Sequence, residues 1–159
     1  MKLISLKNIT LYLVLFVFIN VSHSKDSDYK NVIDKYFSNR QLDTIEGIWI
    51  KTYANQGPPG CVTIFYKNDK NIFSQMHIDS CFVMHKITGR QSKSSNYNYE
   101  GENAVYFYNG DINWKPSSVK ISEDFKELSI THGSDNNSFR EKWKRVWPKD
   151  LKEHNNSIY

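Results

Sequence analysis

Short apolar runs separated by polar turns extend from Ile45 to Trp147 and predict a series of β-strands. The last run has the clearest period-two pattern, with an aromatic-rich face opposite a mostly cationic face. Gly, Pro, Asn and Asp separate the runs, as expected for turns. The runs number eight to nine and lie at 45–51, 61–66, 72–78, 81–88, 103–108, 112–114, 118–121, 127–131 and 138–147.

The regular spacing of these runs favours an antiparallel meander, in which each strand pairs with the next. Aromatic residues mark the first and the last run, which indicates that these two strands meet and close the sheet. Apolar residues at spacings of three and four over 28–37 predict a short helix before the sheet. The predicted fold is therefore all-β: an antiparallel meander that closes into a barrel of eight to nine strands after a short N-terminal helix.

The first 24 residues have the pattern of a secretory signal peptide. Lys2 and Lys7 precede an apolar stretch at 9–21, and Ser22-His23-Ser24 supplies small residues for cleavage. The apolar stretch is shorter than the roughly 18 residues that a membrane-spanning helix needs. We predict cleavage near Lys25, a secreted or periplasmic location and no membrane span after cleavage; an uncleaved anchor is the alternative.

The predicted organisation is a signal peptide at 1–24, a short helix and lead-in at 25–44, a barrel domain at 45–148 and a polar tail at 149–159. The formal net charge of the whole chain is +4, and its basic residues are spread among acidic ones. This distribution argues against a nucleic-acid partner. We expect a monomer.

The two cysteines, Cys61 and Cys81, both lie in the predicted mature protein. An even number of cysteines in an oxidising compartment favours a disulfide. Two buried free thiols are the alternative.

Gly47-Ile48-Trp49, together with a basic residue late in the last strand, resembles the pattern of lipocalins and related calycins. In that family, the Trp of a Gly-x-Trp motif on the first strand closes the floor of the barrel against a late Arg or Lys. The resemblance implies that Trp49 is the floor residue and that Arg145, or next Arg140, covers it. Plain core packing of Trp49 is the alternative. The chain differs from the family in having Pro148 and a polar segment where a long helix follows the last strand.

Residues with catalytic or metal-binding chemistry are present without a recognised arrangement. His77, Asp79, Cys81 and His85 are potential metal ligands, but a disulfide would use Cys81. No nucleophile elbow and no phosphate-binding glycine loop is visible in the sequence. We therefore predict no catalytic residues, no metal and no cofactor, and we do not expect an enzyme.

The barrel interior is the remaining candidate site. A barrel of about eight strands either fills its interior with side chains or retains space for one small ligand. We predict a protein that binds a small hydrophobic or amphipathic molecule, with the loops at 54–60 and 90–98 flanking the end opposite Trp49. The alternative is a filled barrel that serves as a non-enzymatic accessory or interaction module. The predicted ligand-binding residues are Phe65, Met76, Phe82, Met84, Tyr106, Tyr108 and Trp114.

Overall fold

The computed structural model describes residues 29–68, 70–107, 109–133 and 138–158. The predicted signal peptide and Tyr108 lie outside these residues. The chain forms two units, one up to Ser38 and one from Asn39 onward. The described part of the first unit contains helix α1 (Lys30–Tyr36), which lies within the predicted helical segment. Within the described ranges, no helix is long and apolar enough to cross a membrane.

The second unit is a closed barrel of eight antiparallel strands in meander order, which confirms the predicted fold class. Each strand pairs with the next, and β1 pairs with β8 from Ile48–Trp147 to Ala54–Glu141. The described strands therefore all have a neighbour on both sides, and no edge is left to pair with another chain. The strands are β1 (Gly47–Ala54), β2 (Val62–Lys67), β3 (Phe73–Asp79), β4 (Ile87–Lys93), β5 (Asn98–Tyr106), β6 (Ile112–Ile121), β7 (Glu127–His132) and β8 (Phe139–Trp147).

The fourth predicted strand is displaced in the structure. The segment predicted at 81–88 is mostly a loop, and β4 runs through Gly89 instead of ending there. The two predicted strands at 112–114 and 118–121 form the single strand β6, which passes through Pro116. The carbonyl of Pro116 accepts from Gly133 N beyond the end of β7, so the missing proline donor lies outside the ladder with β7.

A second short helix follows the barrel. Residues 149–159 were predicted to be a polar tail, but α2 (Leu151–Asn156) forms there. The Asp150 side chain caps α2 by accepting from Lys152 N and Glu153 N. Leu151 is buried, and Asn155 exchanges two hydrogen bonds with the backbone of Leu42. Leu151 is the one buried residue of α2, and the Trp147 ring contacts His154 at 5.1 Å, so the segment has no apolar period that could predict a helix.

The barrel has two chemically different halves. We call the end beside residues 39–46 the floor end and the opposite one the far end. Because the strands form a meander, the connections after β1, β3 and β5 lie at the far end, and those after β2, β4 and β6 lie at the floor end. Apolar side chains fill the floor half, including Ile45, Trp49, Phe65, Phe73, Tyr99, Val119, Ile121, Leu128, Ile130 and Trp143.

The Cys61–Cys81 disulfide is present, which confirms the predicted bridge. It joins Cys61, just before β2, to the connection after β3, over a separation of 20 residues.

Replacing both cysteines with serine should lower the free energy of unfolding by about 3 kcal/mol, because the bridge restricts the unfolded chain. Denaturant titration of the oxidised protein and the double variant measures this difference. Equal unfolding midpoints would contradict it, and a reducing agent should leave the variant unchanged.

Candidate functional site: the polar half of the barrel interior

Polar side chains form two adjacent cross-strand rows in the interior, towards the far end. In the first row, Gln91 pairs with Gly101, Gly101 with Ser117, and Ser117 with His132. In the second row, Gln75 pairs with Gly89 and Gly89 with Asn103. Because alternate residues of a strand share a face, and Phe65 pairs with Gln75, these rows lie on the same inner face as the floor core. We call these residues the inner polar rows.

Hydrogen bonds connect four members of the inner polar rows. Gln91 Nε2 donates to Asn103 Oδ1 at 2.7 Å and to Ser117 Oγ at 2.8 Å. Ser117 Oγ donates to Asn103 Oδ1 at 3.0 Å, and Asn103 Nδ2 donates to Gln75 Oε1 at 3.1 Å. All four side chains belong to buried residues, so the network occupies the interior of the barrel.

Two glycines make room for this network. A Cβ at Gly89 would lie 2.7 Å from Gln75 Oε1 and 2.8 Å from Asn103 Oδ1. A Cβ at Gly101 would meet the Arg90 carbonyl oxygen and would lie 2.8 Å from Gln91 Oε1. All three distances to amide oxygens are shorter than real Cβ contacts, so any larger residue would displace the amides. The glycines are thus part of the site.

Some polar atoms of the inner polar rows remain unpartnered. Among the described side chains, Gln91 Oε1 and both ring nitrogens of His132 are buried without a hydrogen-bond partner. Gln91 is 0% exposed and His132 is 8% exposed. Buried polar groups nearly always have a partner, and leaving one unsatisfied costs about 1–3 kcal/mol. These atoms are therefore the strongest indication of a binding site in the interior.

An ion pair and aromatic rings complete the polar half. Lys51 Nζ lies 3.4 Å from Glu141 Oε1 and 5.6 Å from the centre of the Trp143 ring. Trp143 Nε1 donates to Glu141 Oε2 at 3.2 Å. The His77 ring stacks near Trp143, with ring centres 6.4 Å apart, and His132 stacks on Phe139 at 5.0 Å. The polar half therefore offers flat ring faces as well as hydrogen-bonding atoms.

Burial keeps both interior histidines neutral at pH 7. Desolvation lowers the pKa of His77 to about 4, opposed by the hydrogen bond between Nδ1 and the Val83 carbonyl, while Lys51 lowers it further. Desolvation also lowers the pKa of His132, with Glu141 acting to raise it and Lys51 to lower it. Each neutral imidazole presents one donor and one acceptor.

The depressed pKa of His77 predicts a loss of stability in acid. The unfolded chain takes up a proton below about pH 6.5, whereas the folded protein does so only near pH 4, so the free energy of unfolding falls over that interval. The expected loss from this residue is about 3 kcal/mol, at about 1.4 kcal/mol for each pKa unit. Denaturant titrations from pH 7.5 to 4 measure the slope. In His77→Gln the decrease of the free energy of unfolding with pH should be smaller than in wild type, and the decrease that remains is due partly to His132. A decrease equal to that of wild type would contradict the assignment to His77.

Arg145 and Trp49 lie at the floor end. The guanidinium carbon of Arg145 is 4.0 Å from the centre of the Trp49 ring, and Trp49 Nε1 donates to the Ile45 carbonyl at 2.9 Å. Arg145 donates through Nε to the Phe125 carbonyl at 2.6 Å, through Nη1 to the Glu46 carbonyl at 2.6 Å and through Nη2 to the Thr44 carbonyl at 2.5 Å. Burial lowers the pKa of Arg145 to about 9, so it remains a cation at pH 7.

Gly47 has a physical reason to be glycine in this arrangement. Its φ of +133° lies in a region that other residues rarely adopt. A Cβ there would meet the Trp147 carbonyl oxygen and would lie 2.8 Å from Arg145 Nη1. Arg140, the second choice for covering Trp49, is exposed near the far end of β8.

The predicted ligand-binding residues do not gather in one place. Of those that the structure describes, Phe65 alone lies on the inner face, and it is part of the floor core. Met76 pairs in the row of Ile64, on the outer face. Tyr106 and Trp114 pair with Ile112 and Ala104, also on the outer face, and Arg90 stacks on Trp114 at 4.4 Å. Phe82 and Met84 lie in the connection after β3, where Phe82 is 73% exposed.

The two loops expected to flank one end lie at opposite ends. The connection that contains 55–60 is at the far end, as expected. The segment at 90–98 is mostly the end of β4 and the turn after it, at the floor end, where Thr44 Oγ1 donates to the Asn96 carbonyl. Because consecutive connections of a meander alternate between the two ends, the connections after β1 and β4 lie at opposite ends. The prediction that both loops flank one end is therefore wrong.

The residues weighed as metal ligands are only partly together. Possible ligand atoms of Cys61, His77 and Cys81 lie within 4.8 Å of one another. The disulfide joins both sulfur atoms, so neither is a thiolate that could bind a metal. In this group His77 is then the one remaining ligand.

The inner polar rows were not predicted. A signal was present in the predicted strand at 72–78, where alternation places Phe73 and Gln75 on one face. Strand alternation does not tell which face of a strand is inside the barrel.

Comparison with protein-family models, with curated proteins and with solved structures finds no match.

Proposed function

We propose that this protein is an exported β-barrel that binds a small amphipathic molecule in the polar half of its interior. The observation that carries the proposal is the set of buried, unpartnered atoms on Gln91 and His132. A bound polar group would supply the missing hydrogen bonds, and the rings of Phe139 and His77 would contact the apolar part.

The packing of the floor half supports a binding position towards the far end. Trp49, Phe65, Tyr99 and Trp143 are each at most 1% exposed, and they pack with the aliphatic core of the floor half. A ligand held by apolar contacts alone would compete with these side chains. The polar half therefore favours an amphipathic ligand over a purely hydrophobic one.

The proposed export rests on two observations. The N-terminal 24 residues have the pattern of a signal peptide, and the Cys61–Cys81 disulfide fits an oxidising compartment. Arg145 over Trp49 supports the lipocalin-like assignment, because it is the arrangement that the Gly47-Ile48-Trp49 resemblance implies. We propose the domain boundaries given in the sequence analysis on the same grounds, with α2 forming within the segment 149–159.

Native mass spectrometry of protein exported to an oxidising compartment and purified without detergent tests the proposal. A stoichiometric additional mass in the wild-type protein, absent from His132→Phe, would support it. The phenylalanine retains a ring beside Phe139 but lacks both nitrogen atoms. His154→Phe is a suitable control, because His154 also has a buried, unpartnered nitrogen but lies in α2, on a different element. A mass equal to the bare chain would contradict ligand binding, and the measured mass also shows where the signal peptide is cleaved.

A second candidate function follows from the far end of the barrel. Phe82, Phe107 and Ile112 are 73%, 50% and 48% exposed, and all three lie in or beside connections at that end. Large exposed apolar side chains at one end of a domain favour an interaction surface there. A bare mass in the experiment above would favour this accessory or interaction role over ligand binding.

A further inference from the structure

We infer that the polar half of the interior selects a neutral head group with both a hydrogen-bond donor and an acceptor, such as an alcohol or a primary amide, over a carboxylate or an ammonium group. This inference rests on the proposed binding function and specifies the ligand class. It follows from three features of the site: the orientation of the Gln91 amide within its network, the neutral imidazole of His132 and the cancelled charge of Lys51 and Glu141.

The hydrogen-bond network sets the orientation of the Gln91 amide relative to the amides of Asn103 and Gln75. Asn103 Nδ2 donates to Gln75 Oε1, so Asn103 Oδ1 is the acceptor that faces Gln91. Reversing the Gln91 amide alone would place its oxygen 2.7 Å from Asn103 Oδ1, with no proton between the two acceptors. Gln91 therefore presents Oε1 as the unpartnered atom. A ligand must donate a hydrogen bond to it.

His132 requires a ligand that can donate or accept. Its imidazole is neutral, so one ring nitrogen carries a proton and the other carries a lone pair. Ser117 lies between Gln91 and His132 in the same cross-strand row, which places the two unpartnered groups on strands β4 and β7 with two strands between them. A hydroxyl or an amide can hydrogen-bond to either group, because it both donates and accepts.

The charges that face this region disfavour an ionic ligand. Lys51 and Glu141 are paired at 3.4 Å, with side chains only 12% and 15% exposed, and together they contribute no net charge. A carboxylate accepts but cannot donate to Gln91, and an ammonium group donates but cannot accept from His132. Because Lys51 and Glu141 already pair with each other, neither is a free counter-ion for such a ligand. Burying either ion without a counter-ion costs several kcal/mol.

Lys115 is a further cation on the inner face at the far end, in addition to Lys51. Lys115 pairs with Asn103 and is exposed, so water screens its charge. His77 is neutral at pH 7 and donates through Nδ1 to the Val83 carbonyl. Neither residue supplies a buried counter-ion for a carboxylate. The selection of a neutral head group therefore depends on Gln91 and His132.

A matched series of ligands tests the inference: 1-octanol, octanamide, octanoate and octylamine, titrated at pH 7 into full-length mature protein. Tryptophan fluorescence and calorimetry measure binding, because Trp143 lies beside Lys51 and Glu141. We expect the alcohol or the amide to bind at least tenfold more tightly than both ions. In His132→Phe this preference should fall by about tenfold, whereas His154→Phe should retain it. Unfolding curves of both variants show whether they fold.

The possible outcomes separate the inference from the proposed function. If octanoate or octylamine binds as tightly as the neutral ligands, selection of a neutral head group is wrong while binding itself stands. An unchanged preference in folded His132→Phe would overturn the role of this residue. If no member of the series gives a saturable signal, and native mass spectrometry shows only the bare chain, the proposed function fails as well.

Discussion

Replacing Trp49 with alanine should lower the free energy of unfolding by about 3–5 kcal/mol, the usual range for removing a buried aromatic side chain. Trp49 is 0% exposed and packs with the floor core. Its removal leaves a cavity, deprives Arg145 of the ring that lies 4.0 Å below it and removes the hydrogen bond to the Ile45 carbonyl. The loss should therefore lie towards the upper end of this range.

Denaturant unfolding of wild type and Trp49→Ala, followed by circular dichroism, measures this effect. Trp114→Ala is a matched control, because Trp114 is a half-buried tryptophan on the outer face that also stacks with an arginine. The control should lose clearly less stability than Trp49→Ala. Comparable losses of stability in the two variants would contradict the prediction that Trp49 stabilises the protein more than a tryptophan on the outer face does.

Replacing Arg145 with methionine should destabilise the protein by about 3–5 kcal/mol. Methionine retains most of the aliphatic length but cannot donate to the carbonyls of Thr44, Glu46 and Phe125. Each buried acceptor left without a partner costs about 1–3 kcal/mol. Removing a buried cation also avoids its desolvation, which offsets part of the loss. Thr44 and Glu46 precede β1 and Phe125 lies in the turn after β6, so both segments lose side-chain hydrogen bonds to β8.

Arg140→Met is the matched control for this variant, since Arg140 is exposed on the same strand and its loss should change stability by less than about 0.5 kcal/mol. Arg145→Lys separates charge from geometry. Lysine retains the cation, but its single ammonium group does not reproduce three donors directed at three carbonyls. It should therefore recover less than half of the loss. Full recovery would mean that the positive charge alone matters.

The fold could be predicted well because strand alternation and turn residues are local signals. The aromatic runs at the two ends of the series indicated closure, and β1 does pair with β8. The errors fell where a local signal misleads. Gly89 and Pro116 were read as strand breaks, but Gly89 provides space for interior amides and Pro116 lies beyond the ladder with β7.

The candidate site could be predicted only in part. Trp49 and Arg145 were identified through a resemblance that specifies their positions, and the structure brings them together. The inner polar rows depend on which face of each strand is inside, and the aromatic residues were assumed to mark that face. Trp114 and Tyr106 are aromatic but lie outside, whereas Gln75 and Gln91 are amides that lie inside. Which face of a strand lies inside depends on its register with strands that are distant in the sequence. This register cannot be read from a single sequence.

The pairing of β1 with β8 also has a consequence for biosynthesis. Ile48 and Trp147 are neighbours in the barrel although roughly a hundred residues separate them along the chain. Contacts this distant in sequence slow folding, because a long loop must close before they form. During synthesis from the N-terminus, β1 has no second neighbour until the last strand emerges. We therefore expect a nascent chain that stops before 139 to remain without a closed barrel, and thus to expose two unpaired strand edges to chaperones and proteases.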